Sequence, residues 1–104
     1  MALELGEGDV DAAALFAQVV VDREAGQYLG HPTTVLLGDG RTMLCVYPKG
    51  HGRGAIVLKR SGDGGRTWSE PLATRENWRQ SNNCPALYQL IAPDGKDRLF
   101  VFEG

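Results

Sequence analysis

The sequence predicts an all-β fold of short antiparallel strands. Runs rich in β-branched and aromatic residues recur at about strand length, turns rich in Gly, Asp and Pro separate them, and one stretch of the chain repeats another. The strands expected are Phe16–Val21, Thr33–Leu37, Thr42–Tyr47, Ala55–Lys59, Trp68–Pro71, Ala86–Ile91 and Arg98–Phe102.

Residues 1–15 form an N-terminal extension with no assigned structure. Ala12-Ala13-Ala14-Leu15 has helical composition, but Asp9–Gln18 lacks a firm cap and runs into the β-branched Val19-Val20-Val21. From residue 16 onward the pattern is strand and turn. Gly38-Asp39-Gly40, Gly62-Asp63-Gly64-Gly65 and Pro93-Asp94-Gly95 are hairpin connections, because Gly takes positive φ at low cost and Asp accepts bonds from its own following amides. One complete four-stranded sheet is therefore expected from Thr33 to about Pro71, followed by a partial hairpin.

Composition narrows the function classes. With 42% hydrophobic and 23% charged residues the chain resembles a soluble globular protein rather than a disordered one. Its longest apolar run, Ala12–Ala17, falls far short of the roughly 20 residues that span a bilayer, so no membrane partner is expected. A net charge of −2 and a pI near 5.6 disfavour nucleic acid as a partner. Glu4, Glu7, Asp9 and Asp11 precede any Lys or Arg, the reverse of a signal-peptide start, so export has no support. Cys45 and Cys84 lack Cys-x-x-Cys spacing and are expected as a buried, reduced pair.

Internal repetition is the strongest organisational signal. His31-Pro32 with Thr33–Leu37, Gly-Asp-Gly and Met43–Gly50 is echoed by Cys84-Pro85 with Ala86–Leu90, Pro-Asp-Gly and Arg98–Gly104. Pro32 and Pro85 stand 53 residues apart, close to the roughly 40–50 of one four-stranded propeller blade. The second copy stops after two strands. About three repeats are generally needed for a stable core, so the chain is expected to be the opening piece of a longer protein.

Ser61-Gly62-Asp63-Gly64-Gly65-Arg66-Thr67-Trp68 fits the pattern Ser-x-Asp-x-Gly-x-Thr-Trp. Ser61 and Asp63 can bond turn amides, Gly65 permits the tight backbone, and Trp68 can pack beside the next strand. This octapeptide resembles the Asp-box of sialidases and related bacterial neuraminidase repeat proteins. Over roughly residues 18–104 the chain resembles the start of a sialidase-type β-propeller, six-bladed in full, with residues 16–104 as the first blade and the start of the second. The resemblance implies a glycoside hydrolase acting on acidic, sialic-acid-type glycans, or alternatively a non-catalytic propeller that binds glycan or protein. It also implies that the remaining blades are a partner and that Ser61, Asp63, Gly65, Thr67 and Trp68 are structural.

Two departures from that family concern the site. Where its members carry a carboxylate-gripping arginine before the first-blade proline, this chain has His31; their acid/base aspartate has no counterpart in Pro48–Gly54. The tyrosine nucleophile and its glutamate would lie beyond Gly104, so the catalytic residues are unassigned. Up-and-down strands bring Gly30-His31, the Lys49–Arg53 loop, Asn82-Asn83 and Glu103-Gly104 to one end, with Asp39, Asp63 and Arg66 at the other. His31, Lys49, His51 and Arg53 are the expected substrate-binding group, the last three basic residues alternating with glycines that expose backbone amides to an anion. Gly50-x-Gly52-x-Gly54 precedes a strand instead of a helix, which disfavours nucleotide binding. His31 and His51 with Cys45 or Cys84 lack metal-ligand spacing, and no metal or cofactor is expected. Trp78, alone in a polar stretch, is a further candidate ligand contact.

Overall fold

A computed structural model of the chain describes residues 18–102 and holds two small antiparallel sheets with almost no helix. The first sheet takes β1 (Thr33–Leu36), β2 (Met43–Pro48) and β3 (Ile56–Ser61) in that order. The second pairs β4 (Ala86–Ile91) with β5 (Asp97–Phe102), and a single 3-10 turn, Glu76–Arg79, falls between the sheets in sequence. The extension 1–15, Phe16, Ala17, Glu103 and Gly104 lie outside the described residues. No described helix is long and apolar enough to cross a membrane.

Register sorts the side chains. Leu36 faces Met43 and Thr33 faces Val46, while β2 and β3 pair from Met43↔Ser61 to Pro48↔Ile56. Strand alternation then puts Cys45, Tyr47, Val57 and Lys59 on one face and Leu44, Val46, Ile56 and Leu58 on the other. Over β2 and β3 both faces are covered, while Leu36 of β1 stays half exposed. Val21, Leu29 and Trp68 pack on Cys45, Tyr47 and Val57. On the opposite face Val46 and Ile56 close on Leu87 of β4, with Val101 of β5 and Trp78 at the margin. The Thr33 hydroxyl donates to Pro85 O at 2.9 Å and ties the leading edge of one sheet to the start of the other. Trp78 thus has a packing role in the core.

Two expected strands are absent among the described residues, for identifiable reasons. Residues 18–21 form no ladder: the Val21 carbonyl accepts from the buried Lys59 ammonium at 2.9 Å. Lys59 also lies 3.5 Å from Asp22, and the Tyr47 hydroxyl donates to the same carboxylate. Partnering of this kind is what a buried ammonium requires. The Tyr47 hydroxyl, then the Lys59 charge, hold Asp22 below its usual range against the opposing effect of burial. Burial first, and Asp22 second, push the Tyr47 phenol up. The second absence is Trp68–Pro71, so the sheet from Thr33 has three strands instead of four. Ser69 N donates to Arg60 O and Leu72 N to Leu58 O, both at 2.8 Å, so the segment does run beside β3. Regular pairing fails because the Ser69 hydroxyl takes the Arg60 amide at 3.0 Å and Pro71 has no amide to give.

The turn after β3 is fixed from within. The Ser61 hydroxyl accepts from Gly65 N at 2.8 Å, and Asp63 Oδ1 accepts from Arg66 N at 3.0 Å and Thr67 N at 2.9 Å. Trp68 Nε1 donates back to Gly65 O at 3.0 Å, while its ring joins the core. The Thr67 hydroxyl is the largest of several bonds that hold Asp63 far below the usual carboxylate range. The turn after β1 is built the same way, Asp39 Oδ1 accepting from Arg41 N and Thr42 N at 2.9 and 2.7 Å. Gly64 N donates to Arg41 O at 2.7 Å, joining the two turns at one end of the sheet.

Candidate functional site

At the other end the loop between β2 and β3 closes on itself. Lys49 N donates to Ala55 O at 2.7 Å, and a side chain at Gly50 or Gly54 would come within 2.4 Å of Arg53 O or 2.5 Å of Lys49 O. Those contacts are too close for any Cβ, so close backbone approach explains two of the glycines in Lys49–Gly54. The loop is then pinned to the chain ahead of β4: Gly54 N donates to Ser81 O at 2.8 Å and Ser81 N to Gly54 O at 3.2 Å. Two peptide bonds so paired hold the basic loop against a segment from the second sheet's approach.

This closure brings the two histidines of the chain together. His31 Nε2 lies 3.5 Å from His51 Nδ1, with the rings edge-on at 4.8 Å between centroids. Tyr28 completes the cluster, 5.3 Å from the His51 ring and 6.4 Å from that of His31. Gly30 allows it, because a Cβ there would stand 2.4 Å from the tyrosine ring. His31 has a φ of 54°, the one described non-glycine residue in the left-handed region. Both imidazoles are exposed.

Arg53 and His51 face an open groove whose far wall is Arg79, Gln80, Ser81 and Asn82. Lys49 lines the same groove, but its ammonium is 3.0 Å from Glu24 Oε2, so its charge is already matched. The structure therefore divides the four expected residues. His31 joins His51 in the aromatic cluster, while Lys49, His51 and Arg53 line the groove. Asp39, Asp63 and Arg66 sit at the opposite end of the sheet. Glu103 and Gly104 lie outside the described residues.

Sequence reasoning missed Arg79 and Glu24. Arg79 reaches the groove because Glu76–Arg79 coils into a 3-10 turn held by Trp78, whose ring packs on the core. The tryptophan in a polar stretch was the available signal. Glu24 reaches Lys49 through the folding back of residues 18–30, for which the sequence carries no local signal.

A second cavity of about 390 Å³ opens between residues 19–23, residues 29–34 and β2. Tyr47 and Asp22 in its wall are bonded to each other, and its lining is mainly Val19, Val20, Val21, Leu29 and Pro32. Cys45 opens onto it as a buried free thiol, whereas Cys84 is free and exposed. The expected buried cysteine pair is thus half right: Cys84 precedes Pro85 on the surface, and its sulfur sits 3.6 Å from where a Cβ on Gly52 would be. Among the described residues no group of three or more His, Cys, Asp or Glu side chains could hold a metal ion. Comparison of the chain with protein families, with characterised proteins and with solved structures gives no match.

Proposed function

We propose that this chain supplies the first blade and the start of the second to a sialidase-like Asp-box β-propeller that acts on acidic, sialic-acid-type glycans. The observation that carries this reading is the groove in which His51, Arg53 and Arg79 meet. Guanidinium groups grip a carboxylate through paired, charge-assisted bonds, and the glycine-rich loop leaves backbone amides near the same anion. Face-to-face stacking of the two sheets through Val46, Ile56 and Leu87 supports the blade reading, together with the 53-residue repeat of Pro32 and Pro85. His31, beside the groove, orients His51, and Lys49, in its wall, fixes the loop through Glu24. Hydrolysis itself draws its nucleophile from other blades.

One observation favours the second reading, a non-catalytic propeller that binds glycan or protein. Pro48–Gly54 carries no carboxylate, and Glu24, which reaches that loop, is paired with Lys49. Titration of the protein with N-acetylneuraminic acid and with neutral galactose tests the shared step. Charge-assisted hydrogen bonds contribute about 1.5–3 kcal/mol, so Arg53→Ala or Arg79→Ala should weaken acid-sugar binding about tenfold or more. Arg66→Ala, at the opposite end, should leave it unchanged. Equal, small effects of all three would remove the groove from the function. Release of a fluorophore from a sialoside separates hydrolysis from binding alone.

A further inference from the structure

At this end of the sheet two imidazoles from unlike chain segments meet, His31 and His51, twenty positions apart. Their facing nitrogens, Nε2 and Nδ1, are 3.5 Å apart. Zinc–imidazole bonds of about 2.0–2.1 Å meeting at a tetrahedral angle separate their two nitrogens by about 3.4 Å. The spacing is that of a two-nitrogen bite. Both rings are exposed, so an ion can reach the gap without opening the fold. The bite is also held from outside. His31 is kept at a φ of 54°, which non-glycine residues seldom adopt, and such strain persists where surrounding structure fixes it for a purpose. Tyr28 packs edge-on against His51, and the Gly54–Ser81 bonds set the loop that carries it.

We infer that His31 and His51 chelate a first-row divalent transition ion through Nε2 and Nδ1, as a two-ligand surface site with its other coordination positions open. Imidazole selects Cu(II), Ni(II) and Zn(II) over Ca(II) and Mg(II), which favour oxygen. In the metal-free chain one of these nitrogens donates to the other. When the ion takes both lone pairs, that proton moves to the far nitrogen of the same neutral ring, so each imidazole keeps one N–H and the charge of the chain's side chains does not change. Chelation cross-links the lead-in to β1 with the loop between β2 and β3, so bound metal raises the melting temperature. The site does not depend on the glycan reading, since the groove arginines take no part in it.

The experiment is titration of the chain with Ni(II), Zn(II) and Ca(II) chlorides, followed by calorimetry and by proton NMR. The sequence has only two histidines, so their ring signals report the site directly. The expected result is one Ni(II) or Zn(II) per chain, no Ca(II) binding, and Ni(II) broadening of both ring sets. His31→Asn, which tolerates the left-handed backbone, and His51→Gln should each weaken binding about tenfold or more. Cys84→Ser should bind like the parent. Binding that survives both histidine substitutions, or that vanishes with Cys84→Ser, overturns the inference. So does broadening of one ring set alone, a reading that stands even where a substituted chain folds poorly.

Discussion

The two sheets are built from similar strands and turns, yet they stand in different surroundings. In β2 and β3 both faces are covered, one by Val21, Leu29 and Trp68, the other by β4 and β5, and Val46 at the centre is fully buried. In β4–β5 one face meets that core through Leu87 and Val101, while the other leaves Tyr88, Leu90, Phe100 and Phe102 exposed. Cross-strand pairing of Tyr88 with Phe100, and edge-on contact of Tyr88 with Phe102 at 5.8 Å, gather these rings into one apolar surface. An apolar face of this kind on a sheet is ordinarily covered. Burial therefore depends on what packs against a strand more than on the strand's own composition.

The largest effect expected from this contrast is in stability. Ile56→Ala removes a buried side chain wedged between the sheets and should cost about 2–4 kcal/mol in urea unfolding. Leu90→Ser, on the open face at 48% exposure, should change stability by less than about 0.5 kcal/mol. Comparable losses from both would mean that the open face is covered in solution, and the contrast between the sheets would fall.

How much of this was readable beforehand follows the same division. Strands β4 and β5 and the turns at Asp39, Asp63 and Asp94 are local matters, set by β-branched runs and by Asp side chains that cap their own following amides, and the sequence reading finds them. Trp68–Pro71 looks equally strand-like, but the Ser69 hydroxyl competes for the Arg60 amide, which no periodicity rule detects. Residues 18–30 are governed by contacts over long separations, Lys59 with Val21 and Lys49 with Glu24, so neither their course nor Glu24's arrival at the loop is visible locally. At the site, chain topology was enough to bring His31 near the Lys49–Arg53 loop. The nitrogen-to-nitrogen approach of His31 and His51 required side-chain geometry.

A smaller effect concerns acid. Turn bonds, with Thr42 foremost, hold Asp39 down to about 2, and Asp63 is held lower still, with Thr67 foremost. Carboxylates depressed on folding stabilise fully above their unfolded value near 3.9, and that stability is lost as pH falls through the folded values. Melting temperature should therefore hold steady from pH 6 to about 4 and decline between about pH 4 and 2. Asp94 in the β4–β5 turn is also lowered, first by the Lys96 amide and then by Arg98. Because its turn belongs to the less covered sheet, Asp94→Asn should remove less of the acid-dependent decline than Asp39→Asn or Asp63→Asn. A larger contribution from Asp94 would reverse the assignment of the first sheet as the stable unit.

The smallest perturbation distinguishes the sheets by thiol chemistry without altering either. Cys45 lies within β2, 2% exposed, and burial pushes its thiol up to about 11, with the Lys59 charge opposing. The thiolate is the reactive form, so at pH 8 this group is both shielded and protonated. Cys84 is exposed, one residue before Pro85 and ahead of the second sheet. A chromogenic disulfide added to the native protein should therefore label one thiol per chain within the mixing phase, and Cys84→Ser should abolish that phase. Cys45 should react only as fast as the first sheet opens, so its rate should rise in Ile56→Ala and stay unchanged in Leu90→Ser. Two fast thiols in the native chain would mean that β2 is accessible at its centre, and the first sheet would then be no better protected than the second.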